Sequence, residues 1–111
     1  MSRLLAGLRA AAESIAGAAD ELNRLDGTAG DGDLGVTMTI AATSVLALLP
    51  ELEGAGVADV LRRCGAKIAG DAPSTSGTLV ATGLLSAARA AGEDDGAGID
   101  RLLQAAADGI A

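Results

Sequence analysis

Three aspartates lie within one ten-residue run near the N-terminus, Asp26-Gly-Thr-Ala-Gly-Asp31-Gly-Asp33-Leu-Gly35. Carboxylates this close repel one another, so bringing them together is costly without a counterion. A hard divalent cation removes that cost, and Mg²⁺ takes carboxylate oxygens together with phosphate oxygens and water. The interleaved glycines let the backbone turn tightly enough for the side chains to converge. The spacing therefore predicts a magnesium site with Asp26, Asp31 and Asp33 as ligands.

A solvated acidic turn and an EF-hand are the alternatives to a magnesium site in this loop. A solvated turn is the usual meaning of a lone Asp-Gly-Asp, but a plain turn between two helical segments would be shorter. An EF-hand fails on register, because counting from Asp31 places Val36 at the glycine position and Ala42 at the glutamate position. Gly35 also opens a helical segment, whose N-terminal N–H groups favour an anion.

A second polar run, Gly70-Asp-Ala-Pro-Ser-Thr-Ser-Gly77, precedes another helical segment. Short hydroxyl side chains and free backbone N–H groups at the start of a helix can hold an anion. The structural alternative is a helix N-cap with spare hydroxyls. We expect Thr75, Ser76 and Gly77 to bind phosphate.

The composition excludes several classes of function. A net charge of −7 disfavours binding to nucleic acid or to anionic membranes, which needs clustered Lys and Arg. The absence of histidine excludes an imidazole base and a His-ligated zinc, and the absence of aromatics excludes stacking on a base. A single cysteine suits a reducing cytosol. The N-terminal segment is interrupted by charged residues and has no signal-peptide core, so we expect a cytoplasmic protein.

Apolar periodicity predicts five helices, over about residues 2–25, 35–49, 57–68, 76–91 and 99–111, and no alternating strand pattern is present. Short connections favour antiparallel neighbours, so we expect an all-α bundle forming one domain over residues 1–111. Ser2 is the expected first N-cap, and Cys64 is expected in the core. The predicted inward residues of the first two helices are Leu4, Leu8, Ala11, Ile15, Ala18, Leu22, Leu25, Val36, Ile40, Val45 and Leu48. Because the last helix reaches Ala111 without a cap, we expect the domain to be partial.

The string from Asn23 to Met38, NRLDGTAGDGDLGVTM, resembles the hallmark of DhaL-type domains of dihydroxyacetone kinases. The resemblance implies an antiparallel helical barrel that binds ADP or ATP through two magnesium ions held by the three aspartates. It also implies nucleotide contacts at Leu34 and Thr37, where the family often has histidine and asparagine. The Ser/Thr run matches the family's phosphate-binding segment. The resemblance covers almost the whole of this chain, but the chain corresponds only to roughly the first half of a typical family member.

By the same resemblance, the chain is expected to be the nucleotide-binding L subunit of a kinase. The acceptor, dihydroxyacetone, would be held by a separate K subunit through a histidine. The phosphate would come from exchanged ATP or from a phosphotransferase-system M subunit that recharges bound ADP. No catalytic residue is expected beyond the aspartates. The main alternative is a truncated or degenerate helical module that binds metal or a partner without catalysis. Another kinase sharing the domain, such as a fatty-acid kinase, ranks below both.

Overall fold

The computed structural model describes residues 3–28, 30, 32–93 and 98–110, and within them every regular element is a helix. The expectation of an all-α fold is therefore confirmed. The described residues form six α-helices rather than five, with one short 3₁₀ helix after the third. Their bounds are α1 Arg3–Gly17, α2 Ala19–Asp26, α3 Leu34–Leu48, the 3₁₀ helix Leu49–Leu52, α4 Val57–Asp71, α5 Thr75–Glu93 and α6 Ile99–Ile110.

The first predicted helix is broken into two, which corrects the expected continuous helix over residues 2–25. The α-helix stops at Gly17, and the N–H of Ala18 bonds the carbonyl of Ile15 in a tighter turn. Glycine is a poor helix former, and here it marks the point where the chain changes direction. The expected cap, Ser2, lies outside the described residues. The break lets α1 and α2 pack separately against α3.

The inward face of α3 differs from the predicted one. Val45 and Leu48 are buried as expected, but Val36 is 55% exposed and Ile40 is 41% exposed. This helix is apolar on nearly every side, so its sequence contains no stripe from which an inward face can be chosen. In α1 and α2, the predicted inward residues Ala11 and Leu25 are likewise exposed. Leu5 of α1, which was not among the predicted inward residues, is fully buried.

The helices are joined by short connections. The most extensive packing is between α4 and α5, between α5 and α6, and between α1 and α3. An apolar cavity of about 170 Å³ lies among α1, α3, α4 and α5. Cys64 is fully buried in the core, as predicted, and burial raises the pKa of its thiol.

One segment, Leu34–Leu52, is apolar and long enough to pass a composition test for a membrane-spanning helix. The same segment contributes much of the core, since 44% of it is buried inside the protein. A buried helix of a globular domain passes this test for the same reason. The finding is therefore weak evidence for a membrane span.

Replacing Leu52 by alanine is expected to lower the free energy of unfolding by about 3 kcal/mol, near the middle of the range for buried Leu→Ala changes. Leu52 has 0% exposure, and it belongs with Leu49 of the same 3₁₀ helix to the buried core. Leu103→Ala is the matched control, because Leu103 is 63% exposed and its loss should change stability by no more than about 0.5 kcal/mol. Urea denaturation followed by circular dichroism measures both, and equal losses would contradict this account of the core.

Candidate functional site

Asp26 is the last residue of α2, and backbone N–H groups fix its carboxylate. Its Oδ2 accepts hydrogen bonds from the N–H of Asp33 at 3.1 Å and from the N–H of Leu34 at 3.3 Å. These donors belong to the start of α3, where an anionic group is favoured by the helix dipole. The carboxylate is thus held through Oδ2, and its Oδ1 takes no part in these two bonds.

A second side chain of α2 occupies the next amide of α3. The Oδ1 of Asn23 accepts a hydrogen bond from the N–H of Gly35 at 2.6 Å. Together, Asn23 and Asp26 take up the amides of Asp33, Leu34 and Gly35, so the anion at the start of α3 is here the Asp26 carboxylate itself. The physical reason is that α2 ends beside α3 and places two short polar side chains over its N-terminus.

The glycines of the loop let the backbone wrap closely around Asp26. The N–H of Gly30 bonds the carbonyl of Asp26 at 2.6 Å, and a Cβ added to Gly30 would lie 2.5 Å from Oδ1 of Asp26. Gly32 has a φ of 77°, which favours glycine over any residue with a side chain. The tight backbone predicted from the glycines is therefore present around this carboxylate.

The other residues predicted for this site are placed as follows. Asp33 is the exposed N-cap residue of α3, and Asp31 lies outside the described residues. Leu34 is half-buried, whereas Thr37 is only 8% exposed and faces the core. The described residues contain no cluster of three metal-ligating side chains, but the third predicted ligand is not among them. The convergence of all three aspartates stays a prediction.

The carboxylates of the two described aspartates are nevertheless the kind of ligand that a hard cation prefers. Asp26 and Asp33 are joined through a backbone hydrogen bond, and both offer only oxygen to a ligand. Neither this loop nor the run from Gly70 to Thr78 contains a lysine or arginine. A phosphate placed here would meet negative charge with no basic side chain in either loop to offset it, so a divalent cation is the natural counterion.

The serine-threonine loop begins α5 with a side-chain cap. Ser74 accepts a hydrogen bond from the N–H of Gly77 through its Oγ at 3.1 Å, and from the N–H of Thr78 through its carbonyl at 2.8 Å. In the described part of the chain, the N–H groups of Thr75 and Ser76 donate to no acceptor. The two hypotheses for this loop are therefore compatible, since the cap leaves two adjacent amides for an anion.

Gly77 has a structural part in this loop. Its N–H is taken by Ser74, and a Cβ added to it would lie 1.9 Å from the carbonyl oxygen of Ala72. Of the three predicted phosphate contacts, Thr75 and Ser76 keep amides that can donate, whereas Gly77 allows the loop to close on α5.

Two residues of the site, Asn23 and Ser74, were not among the residues predicted from the sequence to bind metal or nucleotide. Both are short polar residues beside a helix start, which is the ordinary signal for a cap. Ser74 stands directly before α5, but the predicted helix began at residue 76, so the sequence indicated only that one hydroxyl residue of this run could be the cap. Asn23 lies inside α2 and is separated from its partner by 12 positions, so only the tertiary structure reveals its contact.

Comparison with known proteins agrees with this architecture. No curated protein matches the chain. The crystal structure of the dihydroxyacetone kinase of C. freundii (native form) superposes with a TM-score of 0.85 at 23% sequence identity, over 99% of this chain and 20% of that one. The chain thus spans about a fifth of the length of that kinase and shares the fold of the matching segment. The family model of the DAK2 domain matches residues 28–111. This chain therefore belongs to the DAK2 domain family, the DhaL-type domains.

Proposed function

We propose that this chain is the nucleotide-binding L component of a dihydroxyacetone kinase, which binds ADP or ATP through magnesium. The observation that carries the proposal is the Asp26 carboxylate, fixed through one oxygen by the amides of Asp33 and Leu34. A carboxylate held in this way cannot rotate freely, which lowers the entropic cost of binding a cation. The family membership and the kinase-like fold support the same assignment.

In this proposal Asp26, Asp31 and Asp33 hold two magnesium ions, which when bound would neutralise charge on the β and γ phosphates. The protein's own contribution is positioning. The amides and hydroxyls of Thr75 and Ser76 donate to phosphate oxygens. At the start of α3, Leu34 is half-buried and borders the site, whereas Thr37 is buried, so no nucleotide contact is assigned to Thr37. No side chain of this chain is assigned as a general base, because it has no histidine and its carboxylates here are committed to metal.

The partners follow from the chemistry that the chain lacks. Without histidine it cannot hold dihydroxyacetone as the family does, so a K subunit supplies that part in our proposal. A phosphotransferase-system M subunit or exchanged ATP would supply the phosphoryl group. We place the protein in the cytoplasm, without nucleic acid or membrane as partner, in keeping with its net charge of −7.

A second candidate is a non-catalytic helical module that binds metal or a partner. Leu34 favours it, because this position lacks the polar side chain that many family members have there. It is also favoured by the amides of α3, since Asp26 and Asn23 already occupy them. The two candidates differ in whether nucleotide binds at all.

Isothermal calorimetry with ADP, ATP and GTP, each with and without Mg²⁺, tests the proposal. We expect weak binding that requires Mg²⁺ and changes by less than about tenfold between adenine and guanine, because the chain has no aromatic side chain to stack on a base. The isolated chain should not phosphorylate dihydroxyacetone until a K subunit is added. Tight, adenine-selective binding without Mg²⁺ would contradict the role of the aspartates, and no binding under any condition would favour the non-catalytic module.

A further inference from the structure

We infer that Asp71 is a positioning residue, which holds the loop before α5 against α3. The claim that Asp71 affects phosphate binding rests on the function proposed above. The claim that Asp71 holds the loop rests on the contacts alone. Asp71 is the last residue of α4 and stands three positions before the N-cap residue Ser74.

The contact that defines this role joins two helices. The Oγ of Ser44, in the second half of α3, donates a hydrogen bond to Oδ2 of Asp71 at 2.6 Å. Lys67 lies one turn earlier on α4, with its Nζ 3.2 Å from the same oxygen. The hydrogen bond from Ser44 and then that from Lys67 lower the pKa of Asp71. Ser44 is only 6% exposed, and a buried hydroxyl needs a partner.

The position of Asp71 is unfavourable for α4 taken alone. A carboxylate at a helix C-terminus meets the negative end of the helix dipole. The pairing with Lys67 has lysine on the N-terminal side, which is the weaker order for a pair four residues apart. Asp71 therefore does not stabilise its own helix, and its favourable contribution is the hydrogen bond to α3.

The bond reaches the phosphate loop through the residue that follows. Ala72 is buried, and its N–H bonds the carbonyl of Ile68 at 2.8 Å. The carbonyl of Ala72 accepts the N–H of Ser74 at 2.8 Å and lies directly against Gly77. A displacement of Asp71 therefore moves Ala72, the cap and the first turn of α5 together. These successive contacts therefore determine the orientation of the Thr75 and Ser76 amides.

Hydrogen exchange of the Ser74, Gly77 and Thr78 amides in the nucleotide-free protein tests the inference. Asp71→Ala and Ser44→Ala are each expected to speed exchange at these amides by about fivefold, the effect of losing one hydrogen bond. The double variant should add nothing, because both changes remove the same bond. Asp71→Asn keeps an oxygen acceptor for Ser44 and should restore slow exchange.

Asp59→Ala is the matched control, since Asp59 is also an ion-paired carboxylate of α4, bonded to Arg62, but lies in the first turn at the other end of the helix. It should leave exchange in the loop unchanged. Unchanged exchange in Ser44→Ala and Asp71→Ala, or an equal increase in Asp59→Ala, would overturn the inference. If Asp71→Ala does not fold, Ser44→Ala alone decides.

A parallel titration with Mg²⁺ and ADP separates this inference from the proposed function. We expect Asp71→Ala and Ser44→Ala to weaken binding by about fivefold relative to the wild type, with Asp59→Ala unaffected. If exchange changes as expected while the wild type binds no Mg·ADP, the positioning role stands and the proposed function fails. If the wild type binds Mg·ADP and the loop does not respond, the positioning role fails.

Discussion

Replacing Gly77 by alanine is expected to destabilise the protein by more than about 4 kcal/mol, a loss reserved for severe changes such as strain in a packed interior. The added Cβ would lie 1.9 Å from the carbonyl oxygen of Ala72 and 3.0 Å from its carbonyl carbon. Both are backbone atoms, so no side-chain rotation relieves the overlap. The loop would have to leave α5, which also breaks the Ser74 cap.

The sign of this effect is opposite to the usual one. Within a helix, Gly→Ala normally stabilises by about 0.5–1 kcal/mol, because alanine loses less backbone entropy on folding. Gly70→Ala is therefore the matched control: Gly70 lies near the end of α4 with nothing within 4 Å of an added Cβ, and its replacement should raise stability. Urea unfolding monitored at 222 nm measures both variants. A Gly77→Ala protein as stable as the wild type would show that the loop does not approach α5 as closely as described.

Gly35 belongs to the same class of position. A Cβ added there would lie 2.0 Å from the carbonyl oxygen of Ala19, where α3 begins against the start of α2. From the sequence, Gly35 is predicted only to open a helix. Its tertiary reason, the close crossing of two helices, depends on a break at Gly17 that a continuous apolar stripe concealed.

How far the fold could be predicted depends on how each helix displays its apolar residues. α4 has a clear stripe, and Val60, Leu61, Cys64 and Ile68 are buried as its spacing indicates, whereas Val57 at the start of the helix is 43% exposed. α3 is apolar almost all round, so the predicted inward positions of Val36 and Ile40 were wrong. Whether a segment is helical thus depends on its own composition and on the spacing of its apolar residues. Which face of the helix is buried depends on the helices packed against it.

The candidate site divides in the same way. The tight loop around Asp26 and the cap-like start of α5 follow from glycines, aspartates and serines whose local preferences are strong. The contacts of Asn23 with Gly35 and of Ser44 with Asp71 join residues 12 and 27 positions apart. Such contacts depend on how α2, α3 and α4 pack, and no periodicity in a single sequence specifies them.

Asp26→Asn is expected to reduce the affinity for Mg·ADP by at least about 100-fold. Loss of a partner one step removed from a metal already costs about 10–100-fold, and Asp26 is proposed as a direct ligand. The replacement removes the negative charge but keeps one oxygen that can accept the N–H groups of Asp33 and Leu34. The nucleotide-free protein should therefore stay within about 0.5 kcal/mol of the wild type, as for most surface substitutions.

Asp26→Ala separates the two roles of this residue. It removes the charge together with the acceptor for two amides of α3, so it should lose the same nucleotide affinity and also about 1 kcal/mol of stability, the usual effect of losing a helix cap. Asp20→Asn is the control for charge alone, because Asp20 is an exposed acid of the first turn of α2 outside the loop. It should change neither quantity appreciably. Calorimetric titration with Mg²⁺ and ADP, paired with urea unfolding without ligand, gives both measurements for each variant. If Asp26→Asn binds Mg·ADP like the wild type while Asp26→Ala loses only stability, Asp26 is a cap of α3 and not a metal ligand, and the cation must be held by the other aspartates.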